Sequence, residues 1–297
     1  MARLRDTLPA CRVLGFRKFV TLIIKDVQED KLTTQAAAVA YAWLFAVFPF
    51  LLFLITLFAY VPDKQKINAQ DVISKSVHRV MAKDAADTIL SNLKEVLDQP
   101  RSGLLSIGIA VTLWVASGGM SMTMSALDAA YDAKKTYPFY VQRPLAMLLT
   151  VIVIVLILFV MFLLPVGTGI ENWLADTHAV PGKILWALTF ARYGVAILLM
   201  LAILSLLYTF GTRDSHKFSF VTPGAVFTIV VWVVLGECFN FYVNKFGRYQ
   251  KTYGAVGGVT IILLFFYLDA LVLLIGAEIN ALVNQTLKKK PPEYDGE

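Results

Sequence analysis

Three carboxylates stand inside long apolar runs of this chain: Glu237, Asp269 and Glu278. The run from Ala255 to Val283 is long enough to cross a bilayer, yet it carries Asp269 near its middle. A carboxylate at the centre of a spanning helix costs roughly 2.5–3.5 kcal/mol on insertion scales. Such a group is expected to face a protein interior or a wet cavity. The chemistry this implies is a proton-linked step or contact with polar cargo, set against the plainer reading of a buried structural hydrogen bond.

Spacing sorts these residues. Glu237, Asn240 and Asn244 fall at i, i+3 and i+7, so they share one helix face. Glu237 and Arg192 are expected about 9 and about 12 Å from the outer ends of their spans, which makes an Arg192–Glu237 ion pair plausible. That pair would either line a pathway or merely lock two helices, and Arg192 could instead snorkel to the interface. Asp269 is expected about 21 Å deep, beyond snorkelling reach. Glu278 follows nine residues later, about half a turn round the helix, so the two acids face different neighbours. One is expected to line a cavity and the other to pin the cytoplasmic end, with Gly276 and Ala277 between them permitting a close helix crossing.

The elements that must position these groups are long and apolar. Of the 297 residues 58% are hydrophobic and 16% charged, whereas a soluble domain carries about 25% charge. Six blocks pass the test of about 18 nearly charge-free apolar residues: 36–61, 103–124, 145–170, 184–210, 221–243 and 255–283. The expected fold is therefore all-α, a polytopic membrane protein with six transmembrane helices. Residues 1–35 would form a cytoplasmic segment, 36–284 the membrane domain and 285–297 a cytoplasmic tail. Lys and Arg divide 15 to 11 in favour of the side that holds both termini, which predicts both termini in the cytoplasm.

Around the spans, Phe16, Phe19, Val20, Ile23, Ile24 and Val27 recur at helical spacing, as in an amphipathic helix at the membrane surface. The first loop, 62–102, has apolar periodicity that predicts a small helical periplasmic cap. Pro49 should kink the first span. Thr222-Pro223-Gly224 reads as a capped helix start. Ser117, Ser121 and Ser125 form one small-residue stripe, and Gly254 with Gly257 and Gly258 forms another.

The net charge of +6 fits contact with anionic headgroups, and nucleic-acid binding is not expected without a basic stripe interleaved with aromatics. Cys11 and Cys238 are not expected to pair, and His78, His178 and His216 fall in separate loops. No metal site or cofactor is expected, and the absence of a Walker-type glycine loop argues against direct ATP use.

Four stretches together resemble the YihY/BrkB family of inner-membrane proteins: Asp30–Leu54, Trp114–Tyr131, the basic linker ending in Arg143-Pro144, and Tyr253–Ala281. The resemblance runs from about Phe16 to Val283. It implies a six-helix bacterial inner-membrane protein, some of whose relatives were labelled ribonuclease BN and others serum-resistance virulence factors. The residues it carries over are Ala40, Tyr41, Pro49, Gly118, Gly119, Asp128, Tyr253, Gly254, Gly276, Glu278 and Asn280. Asp269 matches no secure motif, so its role rests on depth alone.

The leading expectation is a transporter or translocator of a lipid, an amphiphilic envelope component or a small solute, using a polar cavity within the bundle. Its partners would be membrane lipids and that substrate. A non-transporting scaffold or assembly factor for envelope machinery is the alternative. An enzyme is not expected, because the spans hold no Ser–His pair and Asp269 and Glu278 do not face each other at one depth. Oligomeric state is left open.

Overall fold

The computed structural model describes residues 15–59, 102–133, 136–176, 182–213, 219–246 and 248–288. These residues form helices and no strand. The helices are α1 (Phe16–Glu29), α2 (Leu32–Ala59), α3 (Ser102–Ala130), α4 (Phe139–Asp176), α5 (Gly182–Phe210), α6 (Pro223–Phe246) and α7 (Arg248–Lys288). Four stretches within them are long and apolar enough to span a bilayer: Phe139–Val160, Ile184–Phe210, Pro223–Tyr242 and Gly257–Thr286. The helical cap expected at 62–102 lies outside the described residues apart from Ser102, as do Cys11, His78, His178 and His216.

The chain divides into two compact units, Phe45–Gly118 and the remainder. The first contains the later part of α2 and most of α3. Pro49 lies inside the continuous helix α2, and its side chain lies outside the described residues. Gly118 is half-buried on α3, and the Ser117 hydroxyl donates to the Trp114 carbonyl at 2.8 Å.

In the larger unit α4 packs on α5 and α6 on α7, with further contacts between α5 and α6 and between α1 and α7. Its core is built from Leu32, Val39, Leu127, Leu204, Tyr208, Leu273 and Leu274, all almost fully buried. Outward faces are apolar as well: Leu148, Val155 and Phe159 on α4 and Val230, Val233 and Val234 on α6 are exposed. Helices that are hydrophobic on both faces suit lipid outside and protein inside. The aromatic pair Trp43–Phe266, edge to face with centroids 6.1 Å apart, joins α2 to α7.

Local chemistry explains the helix ends. Lys31 takes φ 52°, in the left-handed region, and separates α1 from α2. Asp132, with φ 49°, ends α3 in a Schellman arrangement: its N–H reaches the Ala129 carbonyl at 3.1 Å, and the Ala133 N–H reaches that of Asp128 at 2.9 Å. Thr222 caps α6, its hydroxyl accepting the Ala225 N–H at 3.2 Å, while Pro223 takes the first helical position, where no donor is needed.

The amphipathic α1 uses its apolar face in two ways. Phe19 is buried against Ile279, Leu282 and Val283 of α7, with Leu22 and Ile23 beside it. Val20 and Ile24 stay exposed. Part of the face expected to lie on the membrane is therefore seated on α7.

Candidate functional site: a buried polar cluster on the last helix

Helix α7 carries a run of buried polar residues that the crossing helices hold at close range. Asn280 is fully buried; its Oδ1 accepts the Gly224 N–H at 2.8 Å. Its Nδ2 donates to Thr222 Oγ1 at 3.2 Å and to the Tyr131 hydroxyl at 3.3 Å. One side chain thus satisfies a backbone donor in the first turn of α6 and ties α3, α6 and α7 together. Gly224 and Gly276 lie at the same crossing, where an added Cβ on either would collide with the other's backbone. One turn deeper, the buried Tyr208 hydroxyl of α5 donates to the Leu273 carbonyl at 2.9 Å and is hydrogen-bonded to Thr228 Oγ1 at 2.9 Å.

A second lock closes the other side. Asp128, 4% exposed, accepts from Thr212 Oγ1 at 2.9 Å and from the Arg213 N–H at 3.0 Å, both through Oδ1. The Arg213 guanidinium donates to the Thr136 carbonyl at 2.6 Å and lies over the Tyr137 ring, 5.9 Å from its centroid. Asp128 therefore fixes the end of α5 against the end of α3. The Ser205 hydroxyl contacts the Ser219 and Phe220 carbonyls at 3.0 and 2.6 Å, holding the connection between α5 and α6.

Glu278 sits among these groups and behaves differently. Its side chain is buried, and Oε2 has no hydrogen-bond partner. Three negative charges act on it: Asp30, Asp26 and Asp132. Outside the spans, Asp30 is itself pushed up to about 6, by burial first and then by Asp132, Asp26 and Glu29. Asp26 is raised too, by burial and by Glu29 and Asp132, with Lys25 opposing. This end of the unit concentrates negative charge around one buried carboxyl.

The remaining sequence candidates are scattered. Asp269 is half-buried, and the Trp232 indole donates to its backbone carbonyl at 3.1 Å. Arg192 is buried, and its ion pair is with Glu171 of α4 at 3.3 Å rather than the expected Glu237. The reason is packing: α4 and α5 lie side by side, and the Arg192 chain runs over Gly167, where a Cβ would not fit. Glu237, Cys238 and Asn240 are exposed on α6, so Glu237 is not among the sheltered acids. The Asn244 side chain lies outside the described residues, and Gly254 is helical. Tyr41 is exposed, while Gly119 and Gly257 are buried and Gly258 is half-buried. Sequence reasoning missed Glu171, Thr212, Tyr208 and Thr228. Only the acid Glu171, beside an apolar block, left a signal that could have been weighed.

Among the described residues no three His, Cys, Asp or Glu side chains group closely enough to hold a metal ion.

The family model for virulence factor BrkB matches residues 23–296. The chain belongs to the virulence factor BrkB family. The chain is 34% identical over 261 residues to the ribonuclease-like protein YfkH of Bacillus subtilis, covering 88% of this chain and 92% of the relative. It is 22% identical over 271 residues to a UPF0761 membrane protein of Pseudoalteromonas translucida, covering 90% and 86%. A UPF0761 membrane protein of Alteromonas mediterranea is 24% identical over 283 residues, covering 94% and 92%. No solved structure matches this BrkB-family chain. The BrkB-family match and the apolar helices together establish an integral membrane protein.

Proposed function

We propose that this chain is a six-span protein of the bacterial inner membrane, with both termini cytoplasmic, that moves a lipid, another amphiphilic envelope component or a small polar solute across the bilayer. Four apolar spans support this reading, and α2 and α3 lie over the first two apolar blocks. The proposal assigns it no enzymatic activity.

The observation that carries this reading is the contrast between Glu278 and its neighbours. Asn280 and Asp128, polar groups with structural tasks, each have Oδ1 engaged at 2.8–3.0 Å. Glu278 is as deeply buried, yet leaves one oxygen unengaged. Burying an unpaired polar oxygen costs about 1–3 kcal/mol, more when it is charged. A residue kept at that cost is better explained by a partner that comes and goes than by packing. Asp269 is half-buried on the same helix, on the face opposite Glu278.

The test is reconstitution of the purified protein in liposomes, with dithionite bleaching of a fluorescent phospholipid to read lipid movement and an entrapped polar dye to read solute flux. Movement above that of protein-free vesicles, lost in Glu278→Gln or Asp269→Asn, supports the reading. Rates equal to protein-free vesicles for both readouts sink it.

A scaffold for envelope machinery is the second reading, favoured by the satisfied contacts that lock α3, α5, α6 and α7. A stable partner complex that survives neutralisation of Glu278 and Asp269 would select it.

A further inference from the structure

Acids from separate segments act on Glu278, whose Oε2 is unengaged. Asp26 and Glu29 belong to α1, Asp30 follows it, and Asp132 ends α3; Asp26, Asp30 and Asp132 act on Glu278 directly. Glu29 acts on Asp26 and Asp30 in turn. Lys25, which acts on Asp26, pairs with Glu29 at 3.3 Å where both side chains are exposed. Gln285 of α7 donates to Asp132 Oδ2 at 3.4 Å, so α7 holds that acid in place as well. Phe19, packed on Ile279, Leu282 and Val283, seats α1 against α7 and keeps these like charges together. Apolar packing thus maintains an arrangement that electrostatics alone would push apart.

Three kinds of counterpart could relieve it. A metal ion wants several acids in one shell, and no such group exists among the described residues. Protonation removes the charge of Glu278 but leaves Oε2 without a partner. An ammonium group supplies both needs, with three N–H donors for a buried acceptor and a positive charge for the acids farther out.

We propose that the end of the bundle where α1 meets α7 is a binding site for a ligand bearing a primary ammonium group, which donates to Glu278 Oε2 and faces Asp26, Asp30 and Asp132. Asp132 is exposed, Asp26 and Asp30 are half-buried and Glu278 is buried, so the acids are graded in exposure. A free amine and an amino-lipid headgroup share this chemistry. The inference goes beyond the transport reading, because occupancy does not require the ligand to cross the membrane.

The experiment uses the full-length protein at low ionic strength. Spermidine is titrated against the detergent-solubilised protein with unfolding temperature and calorimetric heat as readouts; tetramethylammonium, which has no N–H donor, and magnesium are the comparison cations. In parallel, unfolding is compared in nanodiscs of phosphatidylethanolamine and of phosphatidylcholine. A saturable shift with spermidine identifies a free amine, and a wild-type-specific shift in phosphatidylethanolamine identifies a headgroup. Either response should weaken at least tenfold in Glu278→Gln and several-fold in Asp132→Asn, whose exposed site makes it safe for folding. Should Glu278→Gln fail to fold, Asp132→Asn and Asp30→Asn carry the comparison. Equal shifts with tetramethylammonium or magnesium, responses unchanged in all the variants, or no saturable response in either arm overturn the proposal. Amine binding without flux leaves it standing and ends the transport reading; flux without amine binding does the reverse.

Discussion

Gly224 and Gly276 face each other at the crossing of α6 and α7, where the Gly224 carbonyl oxygen lies 2.9 Å from the place a Cβ on Gly276 would occupy. Thr228 and Tyr208 crowd the same point. Backbone touches backbone here, and that contact brings Asn280 within reach of the Gly224 N–H. Close approach of this kind substitutes for a hydrophobic driving force between helices in lipid.

Gly276→Ala should therefore lower stability by about 1–3 kcal/mol, the usual range for forcing a methyl into a filled site. Gly236, with open space around its Cβ position, is the internal control. Gly236→Ala should be neutral or stabilising by up to about 1 kcal/mol, since alanine is the better helix former. Thermal unfolding in detergent compares them, and equal midpoints would show that the crossing is loose.

Asn280→Leu strips the partner from the Gly224 N–H and from Thr222 and Tyr131. The expected loss is about 1–3 kcal/mol for each buried group left unpaired. Combined with Thr222→Val, the loss should be less than additive, because the two side chains share one network. Full additivity in a double-mutant cycle would contradict the network.

Arg192 and Glu171 are 7% and 16% exposed at the side chain. Glu171→Leu leaves a buried cation short of its acid and should cost about 3–5 kcal/mol, whereas adding Arg192→Met should recover most of it. Glu237→Gln, at an exposed position, should change stability by no more than about 0.5 kcal/mol. A larger effect of Glu237→Gln than of Glu171→Leu would return Glu237 to consideration as the arginine's partner.

The acid-rich end predicts a pH dependence of definite sign. Asp30 titrates at about 6 when folded, against about 3.9 in an unfolded chain. Between those values the folded state holds a proton that the unfolded state has lost. Its contribution to stability is complete below about pH 4 and disappears as pH rises through about 6. Asp26 shifts in the same direction. The unfolding temperature of Asp30→Asn should exceed that of wild type above pH 6 and converge with it towards pH 4. A difference that stays flat across that interval would rule the mechanism out.

Much of this was legible in residue order. Long apolar blocks, the cap-and-proline signature at Thr222-Pro223 and the motif residues Asp128, Gly276 and Asn280 all depend on local pattern, which sequence displays directly. Acids in apolar runs were visible too, but not their environments. Glu237 and Glu278 look alike in one dimension; one proves exposed on α6 and the other buried beside α1.

What only the tertiary structure decided is pairing. Arg192 meets Glu171 because α5 packs along α4. Asp128 meets Thr212 across 84 positions of chain, and Asn280 meets Tyr131 across 149. Hydropathy reports how well each segment tolerates lipid and helical period reports which residues share a face, and both are properties of neighbours in sequence. Hydrogen bonds and ion pairs are satisfied or left open within about 3–4 Å in space. Which distant residues come within that distance depends on how the helices cross, and the apolar pattern that selects the helices is nearly silent on their crossing.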